Sequence, residues 1–131
     1  MAAVLIDTTL LIDRERGGSR LEQLLGDRDR AISVITVSEL LHGVHRAKGA
    51  TRLKRQSFVE HLLSAFEPIP ITEAVARVHA SVWAGLASKG EAIGAHDLWI
   101  AATALAHGLD VATDDAGSFR RVPGLTVLSL S

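Results

Sequence analysis

Val4-Leu5-Ile6-Asp7-Thr8-Thr9 carries three consecutive aliphatics that stop at a carboxylate. A short apolar run bounded by polar residues suits a strand buried on both faces of a parallel sheet. Similar runs recur at Ala31 to Ile35, Leu109 to Thr113 and Leu125 to Leu130, and Ile69 and Ile71, flanked by Pro68 and Pro70, suggest a short edge strand. Helical stretches fill the intervals. Thr8 to Glu15 precedes Gly17-Gly18, and Ser19 with Glu22 reads as a capping box for a second helix. Thr36 with Glu39 reads as another, opening a helix to about Ala47 that Gly49 breaks. Residues 50–66, a segment from Thr72 to about Ser88, and residues 95–107 ending at His107-Gly108 complete the helices. Strands alternating with helices predict an α/β fold: a three-layer α/β/α sandwich around a largely parallel sheet of four to five strands.

The 131 residues form the expected single domain, 1–131, with no repeat or low-complexity linker. Hydrophobic residues make up 47% of the chain, enough to fill a core. There is no cysteine, which excludes disulfides and thiolate metal sites. The apolar run before Asp7 lacks a preceding basic region and is too short for a signal peptide or a membrane span, so a soluble, cytoplasmic chain is expected. The net charge of −1 does not indicate a partner, but its distribution is uneven. Arg46, Lys48, Arg52, Lys54 and Arg55 lie between Glu39 and Glu60 without an intervening acid, and such a stretch holds phosphates or forms a solvated helix face. Arg120 and Arg121 add a smaller basic pair.

The acids lie where an α/β sheet presents ligands, beyond strand C-termini or at the starts of the helices that follow. Asp7 ends the first strand, Glu39 follows the second, Asp97 lies in the first turn of the helix after Gly94, and Asp115 follows the fourth strand beside Asp114. Carboxylates gathered in one place repel one another unless a cation neutralises them. A hard divalent ion with oxygen ligands meets that need, and Mg²⁺ bound this way supports phosphodiester hydrolysis. Local explanations also exist: capping for Glu39, the helix dipole for Asp97, and turn chemistry for Asp114-Asp115. Asp7 has no such packing role. His42 and His45, three apart, lack a third ligand in an evident pattern and read better as surface or part-buried histidines than as a zinc site. A phosphatase using Asp7 as nucleophile would want a second Asp where Thr9 stands.

Beyond these signals, Val4-Leu5-Ile6-Asp7-Thr8-Thr9, Ile35 to Gly43 (Ile-Thr-Val-Ser-Glu-Leu-Leu-His-Gly), Ile93 to Ala104 around His96-Asp97, and Ala112-Thr113-Asp114-Asp115 together resemble PIN domains. The likeness is greatest to the VapC-type toxins of toxin–antitoxin modules and spans essentially the whole chain. It implies an acidic quartet that binds Mg²⁺ or Mn²⁺ and cleaves RNA, carried over to Asp7, Glu39, Asp97 and Asp115, with Asp114 as the alternative fourth acid. It further implies that Thr8 and Thr113 border the metal, that the substrate is structured RNA such as tRNA or rRNA, and that the partners are a VapB-type antitoxin and a second copy of the chain. Ser118 precedes Phe119 where many relatives carry an Asp. The competing expectation is a non-catalytic PIN-like module acting with its partner on operator DNA or RNA.

Overall fold

The computed structural model describes residues 3–130. Strand β1 (Val4–Ile6) is followed by helices α1 (Thr8–Glu15) and α2 (Arg20–Leu25), then by strand β2 (Arg30–Ala31). Helices α3 (Val34–Arg46), α4 (Gly49–Leu63), α5 (Glu73–Ser88) and α6 (Ala95–His107) come next. Strand β3 (Asp110–Ala112), a 3₁₀ turn (Phe119–Arg121) and strand β4 (Val127–Leu128) complete the fold. The sheet order is β2-β1-β3-β4 and every pairing is parallel. Ile69 extends the β2 edge by a parallel bridge to Ser33, so the predicted edge strand survives as a single bridge.

Strand alternation divides the core into two layers. Val4 and Ile6 of β1 and Ala112 of β3 pack with Leu10, Leu21, Leu40 and Val59 of the α1–α4 layer. Leu5 and Val111 face the other way, against Leu86 of α5, Ile100 and Ala104 of α6, and Phe119. This is the expected three-layer sandwich. With β1 between β2 and β3, the chain reverses direction across the sheet at the β1/β3 boundary. In such a sheet the crevice for ligands lies beyond the strand C-termini at that reversal. Asp7 directly follows β1 and Thr113 directly follows β3, which places both at its mouth.

Several boundaries differ from the expected ones. The Thr36–Glu39 capping box does not form. Helix α3 begins at Val34, and its cap is Ser33, whose hydroxyl accepts from the amides of Ile35 and Thr36. The predicted strand from Ala31 to Ile35 is cut short for the same reason, since its second half is already helical. The Ser19–Glu22 box is also absent: Ser19 makes no side-chain cap bond, and Glu22 pairs with Arg14 and Arg30. The break at Gly49 holds, with α3 ending at Arg46 and Gly49 itself opening α4. The Gly108 expectation holds, with φ +66° at the C-cap of α6 in a left-handed conformation that glycine adopts without strain. Gly18 has a different reason to lack a side chain: the Asp13 carboxylate occupies the space a Cβ would need. Replacing Ser33 with Ala is expected to cost about 1 kcal/mol, because two amides at a buried helix start lose their acceptor. Urea denaturation of the variant checks this, and an unchanged midpoint would remove Ser33 from the capping role.

Candidate active site

Asp7 is 4% exposed, at the N-cap of α1, and its Oδ2 accepts 2.8 Å hydrogen bonds from the hydroxyls of both Thr9 and Thr113. Each hydroxyl in turn accepts a backbone amide of the loop after β3: Asp114 N–H to Thr9 at 3.0 Å and Asp115 N–H to Thr113 at 3.0 Å. Two successive amides are thus tied through two threonines to one carboxylate oxygen, and the loop carrying Asp115 is held to β1. Burial pushes the Asp7 carboxyl up, the two hydroxyls offset part of that, and Glu39 pushes the same way as burial.

Glu39 lies in the second turn of α3, where its Oε1 accepts from the Thr8 hydroxyl at 2.7 Å. The same hydroxyl stands 3.1 Å from that of Thr36, which is fully buried. Thr36 therefore lies behind Glu39 instead of capping a helix. Asp97, in the first turn of α6, is pushed up to about 6. Burial is the largest cause, followed by the charges of Asp7, Glu39 and Asp115. The four acids singled out in the sequence therefore lie close enough to act on one another. His96 also joins the site, with Nδ1 3.4 Å from Glu39 Oε2.

Asp114 behaves differently from its neighbour. Both its oxygens accept from Arg20 Nη1 at 2.7 Å, an ion pair that closes across 94 residues of sequence. The basic stretch is divided as well. A cavity of about 100 Å³ opens beside Glu39 and is lined by Arg16, Gly43 and Arg55 among others. A separate cleft bordered by Arg46, Thr51 and Arg55 shares Gly43 and Arg55 with it, while Lys54 joins Arg55 and Glu15 in a further one. Arg55 is steadied by Glu15 at 3.1 Å. Lys48 and Arg52 are exposed, and Arg52 turns to His45 at 3.5 Å. Arg121 is occupied with the Ala92 carbonyl at 3.1 Å.

Thr9, Thr36 and Arg16 are site residues that sequence reasoning did not single out. The Thr8-Thr9 pair directly after a strand-ending acid was the available signal for Thr9. Thr36 was misread because a Thr three residues before a Glu matches a cap pattern equally well.

The donor set suits a hard cation. Asp7, Glu39 and Asp115 all act on Asp97, and that repulsion is what a divalent ion relieves. Among the described residues, no three His, Asp or Glu side chains stand so that together they could hold a metal ion as they are placed. Mg²⁺ keeps several waters and takes a few carboxylates together with substrate phosphate, so the protein need not supply a complete set.

The PIN domain family model matches residues 4–125. Ribonuclease VapC1 of Rickettsia felis is 35% identical over 129 residues, covering 98% of this chain and 96% of the relative. The tRNA(fMet)-specific endonuclease VapC of Salmonella typhimurium is 32% identical over 96 residues, 73% of this chain and 71% of the relative. A solved structure of VapBC2 from Rickettsia felis, bound to a DNA fragment from their promoter, aligns with a TM-score of 0.85 at 26% identity, covering 97% of this chain and 98% of the other. Sequence match and shared fold thus agree over nearly the full length, and the chain belongs to the PIN domain family.

Proposed function

We propose that this protein is a metal-dependent endoribonuclease, the toxin of a type II toxin–antitoxin module, hydrolysing phosphodiester bonds in structured RNA such as tRNA or rRNA. The observation that carries the reading is the convergence of Asp7, Glu39 and Asp115 on Asp97 at the sheet's crevice. Family membership implies a divalent metal ion, and the reading assigns Mg²⁺, with Mn²⁺ as a substitute, to Asp7, Glu39, Asp97 and Asp115. An ion held there supplies charge stabilisation at the phosphate and activation of a water.

The chain's own residues set up that chemistry. Thr9 and Thr113 orient Asp7, Thr8 orients Glu39, and the amide–threonine ties keep Asp115 at the rim. Asp115 is preferred over Asp114 as the fourth ligand because both oxygens of Asp114 are engaged by Arg20. Arg16 and Arg55 line the cavity beside Glu39 and Arg46 lines the cleft that shares Arg55 with it, a place for the RNA backbone, since phosphate contacts position a strand without reading its sequence.

The same reading makes residues 1–131 one nuclease domain acting in the cytoplasm, held in check by a VapB-type antitoxin and paired as a homodimer. Trp83 on α5 and Leu53 on α4, 60% and 70% exposed, offer apolar surface for such partners. Among the described residues, no helix is long and apolar enough to cross a membrane.

The second reading is a non-catalytic module acting on operator DNA or RNA; the DNA-bound VapBC2 neighbour is the observation that favours it. A binding module gains nothing from clustered carboxylates, which repel nucleic acid. Purified protein is expected to cleave an RNA panel with Mg²⁺ or Mn²⁺ and to stop when EDTA is added. Intact RNA under every metal condition, with tight operator binding, would replace the nuclease reading by the second.

A further inference from the structure

Arg20 is the first residue of α2, and both ends of it are tied down. Its backbone amide donates to Asp13 Oδ2 at 3.3 Å, at the corner where Gly18 makes room for that carboxylate. Its guanidinium holds both oxygens of Asp114 at 2.7 Å. Asp114 lies one residue from Asp115, and its amide is tied to Thr9, which bonds Asp7. A fifth carboxylate therefore stands at the edge of a cluster already crowded with negative charge, and one arginine from a distant helix covers it. The pair is not buried: the side chains are 52% and 24% exposed, so it adds little to stability. Its position beside the crevice points to a role in what the crevice admits.

We propose that Arg20 is a positioning residue for substrate entry: it turns Asp114 toward α2 and cancels its charge, so that RNA phosphate reaches the acidic site past a neutral pair instead of a free carboxylate. The proposal rests on the ribonuclease reading for the identity of the ligand. It differs from a direct phosphate contact, because here the guanidinium acts through Asp114. The two roles separate in a variant that lacks both charges.

The test is RNA affinity in EDTA, where cleavage does not contribute, measured by fluorescence anisotropy of a labelled single-stranded oligoribonucleotide. Arg20→Gln is expected to weaken binding about threefold to tenfold, since Asp114 then stands unpaired one residue from Asp115 at the edge of the acidic site. Adding Asp114→Asn to Arg20→Gln is expected to restore the parental affinity within about twofold. Asp114→Asn alone is expected to tighten binding, because it releases a cation at the rim. Thermal midpoints verify that each variant is folded, and the single Asp114→Asn change decides the matter if Arg20→Gln is not. Unchanged binding in Arg20→Gln, a double variant as weak as the single, or weaker binding in Asp114→Asn overturns the proposal. A parent that cleaves no RNA yet shows these three affinities sinks the ribonuclease reading and leaves this one standing.

Discussion

Asp97→Asn is expected to lower RNA cleavage by about a thousandfold, ~4 kcal/mol of lost transition-state stabilisation, while making the metal-free protein more stable. Both effects come from one property of the site. The Asp97 carboxyl is pushed up to about 6 from 3.8, first by burial and then by the charges of Asp7, Glu39 and Asp115. A carboxyl whose value is raised by folding holds its proton more tightly in the folded than in the unfolded chain. Its ionisation therefore costs stability as pH rises from about 3.8 through about 6, and the full penalty persists above that. The shift corresponds to at most about 3 kcal/mol, and because Asp97 is only partly buried, screening brings the expected gain in the Asn variant to about 1–2 kcal/mol. In EDTA near neutral pH the variant melts above the parent, and near pH 4 the difference closes. Adding Mg²⁺ or Mn²⁺ reverses the order, because binding to the folded parent stabilises it by mass action and the variant has lost a ligand. Melting curves with and without EDTA at both pH values, alongside an RNA cleavage assay, check the set. An Asn variant that melts below the parent in EDTA at neutral pH would show that Asp97 is not held under repulsion.

Phe119→Ala is expected to be the most damaging single change outside the acids. Phe119 has no exposure and heads the fully buried side chains by size. It packs with Leu5 of β1, Val111 of β3 and Ile100 of α6, closing the layer opposite α1–α4. Truncating a buried Phe to Ala costs about 3–5 kcal/mol, from lost transfer energy and the cavity left behind. Against the ~5–15 kcal/mol that holds a typical domain together, this removes a large share of the total. The turn bearing Phe119 also terminates the loop that carries Asp115, with the Arg120 amide returning to the Ala116 carbonyl at 3.0 Å. Cleavage is therefore expected to fall even at temperatures where the variant remains folded, whereas Phe119→Leu is expected to retain most of both properties. A Phe119→Ala midpoint within about 1 kcal/mol of the parent would mean that this side of the sheet is not sealed by that ring.

The layer order and the location of the site were legible in the sequence because their determinants are local. Three aliphatics ending at Asp7, glycine at 108 and the alternation of apolar runs with helical periods each report a backbone state within a few residues. The family resemblance then ranked acids that strand-end position alone had only gathered. The helix start at Ser33 was less legible. Ser33 and Thr36 are both good caps by type, and the choice between them is made by burial: Thr36 is sealed behind Glu39 against Thr8, which leaves Ser33 to meet the amides. Strand lengths were overestimated for a related reason, since an apolar run does not tell where pairing with the next strand stops.

By itself, then, the sequence determined the α/β alternation, the two-faced burial of β1 and β3, and the candidacy of Asp7, Glu39, Asp97 and Asp115. Tertiary structure alone decided that His96 meets Glu39, that Arg16 and Arg55 line the cavity beside it, and that Arg20 takes Asp114 and not Asp115. Capping, periodicity and turn preference act over a handful of residues. An ion pair spanning 94 positions exists only once the sheet has brought β3 beside β1 and α2 has packed near both.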